Sequence, residues 1–185
     1  MTPEPAAPVP KSVTLDNQVV ITLRRIIRSV DLHSRLLLQT CGLTAPQLAT
    51  LRELARLEPV QAGALAKAVS LSQATMTGIL DRLERAGLAL RERSGGDRRS
   101  VEVTLTQEGR RVLESAPSLV QDRFRRHFAK LADWEQTMIL ATLQRVAAMM
   151  EAEQIDAAPL LMSGPVDATA RQTSEYLRAS EGVGE

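Results

Sequence analysis

LSQATMTGILDRLERAGL, residues 71–88, is the stretch whose reading decides the fold. At 100° per residue, Met76, Ile79, Leu80 and Leu83 make one apolar stripe of a helix over Ser72–Ala86. Gln73, Ala74, Thr77, Gly78, Asp81 and Arg85 fall on the opposite side. Ser72 suits the N-cap, because its hydroxyl can accept from an unpaired amide of the first turn. Gly87 suits the stop, because glycine takes the left-handed conformation past a helix end. The outer face is small and polar where a solvated helix is usually long and charged, which suits close approach to another surface. Taken alone, the stretch also fits an ordinary amphipathic helix, so its neighbours decide.

Upstream, Ala62–Val69 reads as a short helix with Leu65, Ala66 and Val69 inward, joined through Ser70 and Leu71 to the helix above. Two short helices joined in this way predict a helix-turn-helix. Downstream of Gly87 the period changes from 3.6 to 2. Leu88–Arg93 is a candidate strand, and Val101, Val103 and Leu105 alternate with Glu102 and Thr104 as a half-buried one. Between them Gly95, Gly96 and Asp97 supply turn chemistry, and Arg98 and Arg99 project from the tip. Arginine suits both the phosphate fork and a narrow minor groove. Helix, turn, capped helix and basic hairpin, in that order, predict a winged helix-turn-helix over residues 44–106.

The flanks are long helices. Val20, Leu23, Ile27, Val30 and Leu37 recur at helical steps between about Thr14 and Thr40, and Gly42 ends the run. Thr44 and Pro46 open the next helix, with Leu48, Leu51, Leu54, Ala55 and Leu57 as its buried face and Pro59 as its stop. Thr106 is a cap for a helix whose buried edge is marked by Leu113, Leu119 or Val120, Phe124 and Phe128, interrupted at Pro117. Asp133 is read as the cap of a last long helix, striped by Ile139, Leu143, Val146 and Met150 and running to about Ala157. Residues 1–12, with four prolines, are expected as a disordered or extended arm, and residues 159–185 as a tail with a weak helical patch around Glu175–Ala179, partly disordered or draped over a dimer. The expected fold class is mainly α with a small β-hairpin wing.

Bulk properties narrow the function. The chain has 185 residues, 44% of them hydrophobic, enough for one domain with a core. Its net charge is only +1, but residues 1–111 hold 16 Lys and Arg against 11 Asp and Glu, and residues 112–185 hold 7 against 11. One end is thus suited to an anion. The single cysteine, Cys41, rules out an intramolecular disulfide and any multi-cysteine metal site. No apolar run approaches membrane-spanning length, and MTPEPAAPVP lacks the regions of a signal peptide, so a cytoplasmic protein is expected. Two Phe, one Trp and one Tyr are too few for base-stacking platforms. With only His33 and His127, and no phosphate loop or nucleophile elbow, neither catalytic residues, nor a metal, nor a cofactor is expected.

The recognition stretch, the wing RSGGDRRSVEVTLT and the following TQEGRRVL together resemble the MarR family of bacterial transcriptional regulators, over roughly Leu15 to Met150. The resemblance implies a homodimer whose first and last helices, residues 13–43 and 107–158 here, form the dimerisation domain, and two winged modules on a pseudo-palindromic duplex. Carried over position by position, Ser72, Gln73, Thr75 and Thr77 face the major groove or its phosphates. Arg82 matches a phosphate contact, and Asp97 with Arg99 matches the wing pair, with Arg98 beside it. Gly78 departs from the pattern, standing where many relatives carry a long basic residue. The resemblance further implies repression relieved by a small anionic or aromatic ligand, for which Arg28, His33 and Arg35 on the first helix are candidates. Two alternatives stay open: redox sensing through Cys41, although the cysteine lies near the end of the first helix rather than its beginning, and a winged helix that binds protein instead of DNA.

Overall fold

A computed structural model describes residues 14–93, 101–155, 157 and 160–179. The expected proline-rich arm, and Asp97, Arg98 and Arg99 of the wing tip, lie outside the described residues. The elements run α1 (Leu15–Cys41), α2 (Ala45–Leu57), β1 (Val60–Gln61), α3 (Ala62–Ala68), α4 (Gln73–Arg85), β2 (Ala89–Arg93), β3 (Val101–Leu105), α5 (Gln107–Ser115), α6 (Val120–Phe128), α7 (Asp133–Met149) and α8 (Ala170–Ala179).

The core is built by the helices that the apolar periods marked. Leu48, Leu51 and Leu54 of α2, Leu65 and Ala66 of α3, and Met76, Ile79, Leu80 and Leu83 of α4 are buried together with Leu37 of α1. Ala55, expected on the inner face of α2, is exposed instead. By angle it falls between Leu51 and Leu48, inside their arc, so the helical period alone does not decide its exposure. At the start of α2 the Thr44 hydroxyl has no hydrogen-bond partner. The cap is closed from the other side, where Gln47 Oε1 accepts from the Thr44 amide at 2.9 Å.

The wing is more than a hairpin. Its three strands lie in the order β1-β3-β2, both pairings antiparallel, with Val60 opposite Val103 and Arg91 opposite Val103 from the other side. Val60, Ala89, Val103 and Leu105 turn inward onto the helices. Glu58, just past α2, fastens this sheet to α5: its carboxylate accepts from the Leu105 amide at 2.6 Å and from Arg110 of α5.

Three further readings are corrected. The helix restarts beyond Pro117 as α6, in keeping with the expected interruption, but Phe124 is exposed, its ring stacked on Phe128 at 5.2 Å rather than set in the core. Ala132, not Asp133, is the N-cap of α7, and Glu135 Oε2 accepts from its amide at 2.8 Å. The helix stops at Met149, eight residues short of Ala157, because Glu151 turns left-handed at φ 55°. There the Glu151 amide donates to Ala148 and the Ala152 amide to Ala147, which satisfies the last carbonyls. The helical patch read around Glu175–Ala179 is the end of a longer helix, α8, with Thr173 and Leu177 buried.

Candidate nucleic-acid interface

The turn between α3 and α4 is set by backbone chemistry. Ser70 is left-handed, φ 57°, and the Ser70 amide donates to Lys67 while the Leu71 amide donates to Ala66. The same arrangement ends α4, with Gly87 at φ 70° donating to Glu84 and Leu88 to Leu83. Between these two stops α4 is held on its apolar stripe, so its other face has a fixed direction.

That face has a specific hydrogen-bonding state. Ser72 is the N-cap, its Oγ accepting from the Thr75 amide at 3.1 Å and lying 2.9 Å from Thr75 Oγ1. One of the two hydroxyl protons in that pair bridges the oxygens. Thr77 Oγ1 donates to the Gln73 carbonyl at 2.9 Å. A threonine committed in this way offers a partner its lone pairs, which suits a hydrogen-bond donor rather than an acceptor. Gln73 is exposed, and a Cβ built on Gly63 of α3 would lie 3.0 Å from its Nε2. The absence of a side chain at residue 63 is what lets the Gln73 amide lie there.

Arg82 is placed differently from an exposed phosphate ligand. Its Nε and Nη2 are buried and have no hydrogen-bond partner. The guanidinium lies over Gly78, where an added Cβ would sit 3.7 Å from Nη1. That is ordinary contact, so the fold does not require glycine there.

Sequence reasoning missed Arg91. From β2 it donates to Asp81 of α4, to Glu84 Oε2 at 3.2 Å and to the Thr77 carbonyl at 3.2 Å, while Glu84 Oε1 accepts from its backbone amide at 3.3 Å. Asp81 therefore faces the wing strand and not the open side. The signal was present: two carboxylates three residues apart on a helix offered to an anionic polymer need a cation between them.

The ligand candidates of α1 separate. Arg28 and His33 line a cleft of about 600 Å³ together with Arg24, Arg25 and Arg123, over a floor that includes Ile21, Leu32 and Val120. Arg35 is not in it, and donates instead to the Leu177 carbonyl at 2.7 Å. His33 is 8% exposed, and its Nε2 is buried without a partner. Burial, with Arg123 and Arg52 adding their charge, holds its imidazole below the usual histidine range. Cys41 is half-buried, its thiol donating to the Leu37 carbonyl at 3.1 Å, and burial pushes its pKa up. Among the described residues no three His, Cys, Asp or Glu gather as a metal site, and no helix is long and apolar enough to cross a membrane.

Known proteins share this arrangement. The sequence pattern of the MarR family matches residues 43–101, from just before α2 to the first residue of β3. The transcriptional regulator HosA of Escherichia coli is 31% identical over 104 residues, which cover 56% of this chain and 77% of HosA. The organic hydroperoxide resistance transcriptional regulator of Bacillus subtilis is 32% identical over 102 residues, covering 55% and 69%. Among solved structures, the transcriptional regulator PcaV of Streptomyces coelicolor, in complex with its natural ligand, is 26% identical with a TM-score of 0.50, covering 75% of this chain and 98% of PcaV. The fold, the capped α4 with its wing and these sequence matches agree: the chain belongs to the MarR family of winged-helix, DNA-binding transcriptional regulators, which are not enzymes.

Proposed function

We propose that the chain acts in the cytoplasm as a homodimeric repressor that binds a pseudo-palindromic duplex and is released from it by a small anionic, aromatic ligand. The observation that carries the DNA part is the outer face of α4, which offers Gln73, Thr77 and the Ser72–Thr75 hydroxyl pair from a helix fixed at both ends. These short side chains read base edges, while Arg82 and the wing arginines Arg98 and Arg99, with Asp97 as partner of Arg99, supply backbone or minor-groove affinity.

The dimer is supported by apolar surface. Helix α7 buries no residue within its own chain, and Trp134, Met138, Leu143 and Met149 on it are exposed, as are Val20, Ile26 and Ile27 on α1. A helix of this kind needs a partner to bury its stripe. The ligand is supported by the cleft: arginines around an apolar floor, with an unpartnered imidazole nitrogen, suit a carboxylate carried on a ring. PcaV, a relative of similar fold, was solved with its natural ligand. A ligand bound between α1 and α6 shifts the population between DNA-competent and incompetent spacings of the two recognition helices.

The test is selection of duplexes from random DNA by the purified protein, followed by titration of a panel of aromatic carboxylates against the selected site. Enrichment of an inverted repeat with half-sites about one helical turn apart, released by at least one carboxylate, is the expected result. Binding with no sequence preference in the presence of competitor DNA overturns it.

A further inference from the structure

The segment beyond α7 is built as carefully as the core. Thr169 and Gln172 cap α8 reciprocally: the Thr169 amide donates to Gln172 Oε1 at 2.9 Å, and the Gln172 amide to Thr169 Oγ1 at 3.2 Å. Gly164 turns at φ 79° with the Tyr176 ring against it.

The two ends of this segment grip different parts of the molecule. At the near end Leu160 is buried in the core, in a cleft shared with Ala49 of α2, Val69 at the end of α3, and Leu119. The Leu161 amide donates to Gln121 of α6 at 3.3 Å. From Ser163 onward the hydrogen bonds that tie the segment to another helix fall on α1. Ser163 donates through Oγ to Asp31 at 2.5 Å and through its amide to Ser34 at 3.3 Å, and Arg35 donates to the Leu177 carbonyl. Leu177 and Thr173, 2% and 1% exposed, seat α8. The segment thus spans from the helix pair that supports α4 to the helix that carries the arginine cleft.

From this we infer that residues 160–179 are a positioning strap, which holds α1 at one orientation to the DNA-binding unit and so fixes the separation of the two recognition helices in the dimer. The inference rests on the two-site reading above. Rigid elements that are packed at both ends transmit position, whereas a single packed joint lets the joined bodies sample a range. Without the strap, α1 is held to the DNA-binding unit by its chain link to α2, by Leu37 and Cys41 at its C-terminal end in the core and by its packing on α5, while the part of α1 before His33 loses its tie, and the dimer accepts a wider range of half-site spacings.

The experiment uses the half-site that the full chain selects from random DNA, placed as inverted repeats with the spacer changed by one base pair in either direction. The full chain is expected to lose about tenfold in affinity per step, and a chain ending at residue 159 about threefold or less. Because that chain can fail to fold, Ser163→Ala and Asp31→Asn are measured singly and together in the full chain. A lowered spacing penalty in each, with no further drop in the double variant, supports the strap. Folded variants with the full chain's spacing penalty overturn it. A full chain indifferent to spacing overturns the two-site reading, and the strap with it.

Discussion

Arg91 of β2 and Asp81 of α4 are joined in an ion pair across the root of the wing, and Glu84 closes the other side of the same guanidinium. The pair ties the wing strand to the helix that carries Gln73 and Thr77. It also offsets half of the negative charge that Asp81 and Glu84 would otherwise present on the helix proposed to meet DNA phosphates. Both effects predict the outcome of Arg91→Met. Stability falls by about 1–3 kcal/mol, the usual cost of removing charge-assisted hydrogen bonds. Operator affinity falls by more than the fraction of unfolded protein explains, and adding Asp81→Asn restores part of it. Denaturant unfolding and duplex titration measure the two effects. An Arg91→Met protein with unchanged operator affinity would show that the pair matters to the fold alone.

Gly63 and Gln73 give a sharper test of base reading. A methyl group at residue 63 comes within 3.0 Å of Gln73 Nε2, the far end of a flexible side chain, so the amide moves and the backbone does not. Gly63→Ala is thus expected to keep its stability within about 1 kcal/mol, since alanine also favours the helix. It is expected to change which base is preferred at one position of each half-site. Repeating the duplex selection with this variant decides the matter, and an unchanged preference removes Gln73 from the reading surface.

Gly109 carries the opposite expectation. A Cβ there meets the Leu88 carbonyl oxygen at 2.2 Å and Leu105 Cδ2 at 3.0 Å, because the first turn of α5 closes onto the start of β2. Thr106 holds that junction, its hydroxyl donating to the Gly87 carbonyl at 2.7 Å and accepting from the Gly109 amide at 2.9 Å. The obstructing atom is backbone and cannot rotate away. Gly109→Ala should cost about 3 kcal/mol or more, at the upper end of overpacking effects. A thermal midpoint within a few degrees of the parent would contradict this close approach.

The legible features were those written in local pattern. The stripe of Met76, Ile79, Leu80 and Leu83 and the stops at Gly42 and Gly87 follow from periods and caps, and the structure carries them unchanged. The features that were not legible depend on partners distant in sequence. The strand Val60–Gln61 has two residues and exists only because Val103 and Glu102 pair with it. Asp81 read as an outer-face residue because its partner is ten positions away on a strand. Arg35 and Arg28 are indistinguishable as charges on one helix, and what separates them is Leu177, far along the chain. Arg24, Arg25 and Arg123 joined the cleft for the same reason: α6 supplies one wall.

Cys41 bears on the redox alternative. The reactive form of cysteine is the thiolate, and burial raises this thiol's pKa above its ordinary value. At neutral pH the group is therefore a protonated donor to Leu37. Alkylation by iodoacetamide is expected to be slow in the folded protein and to rise only in alkaline solution. Peroxide at concentrations that spare methionine should leave operator binding intact. Release by peroxide that Cys41→Ser abolishes would reinstate redox sensing.

His33 connects stability, pH and the cleft. In an unfolded chain its imidazole titrates near 6.5, and in the fold burial first, then Arg123 and Arg52, lower that value. The unfolded chain thus takes up this proton more readily than the folded one. The stability contributed by neutral His33 is fully present above about pH 6.5. It is lost as the pH falls below that value, until the folded imidazole protonates as well. His33→Gln should flatten this part of the stability profile while leaving the alkaline side unchanged. Proton NMR of the His33 ring should give a midpoint below 6.5, and an anion seated among Arg24, Arg28 and Arg123 should raise it by offsetting the guanidinium charge. A carboxylate that releases the protein from DNA without moving the His33 midpoint acts somewhere other than this cleft.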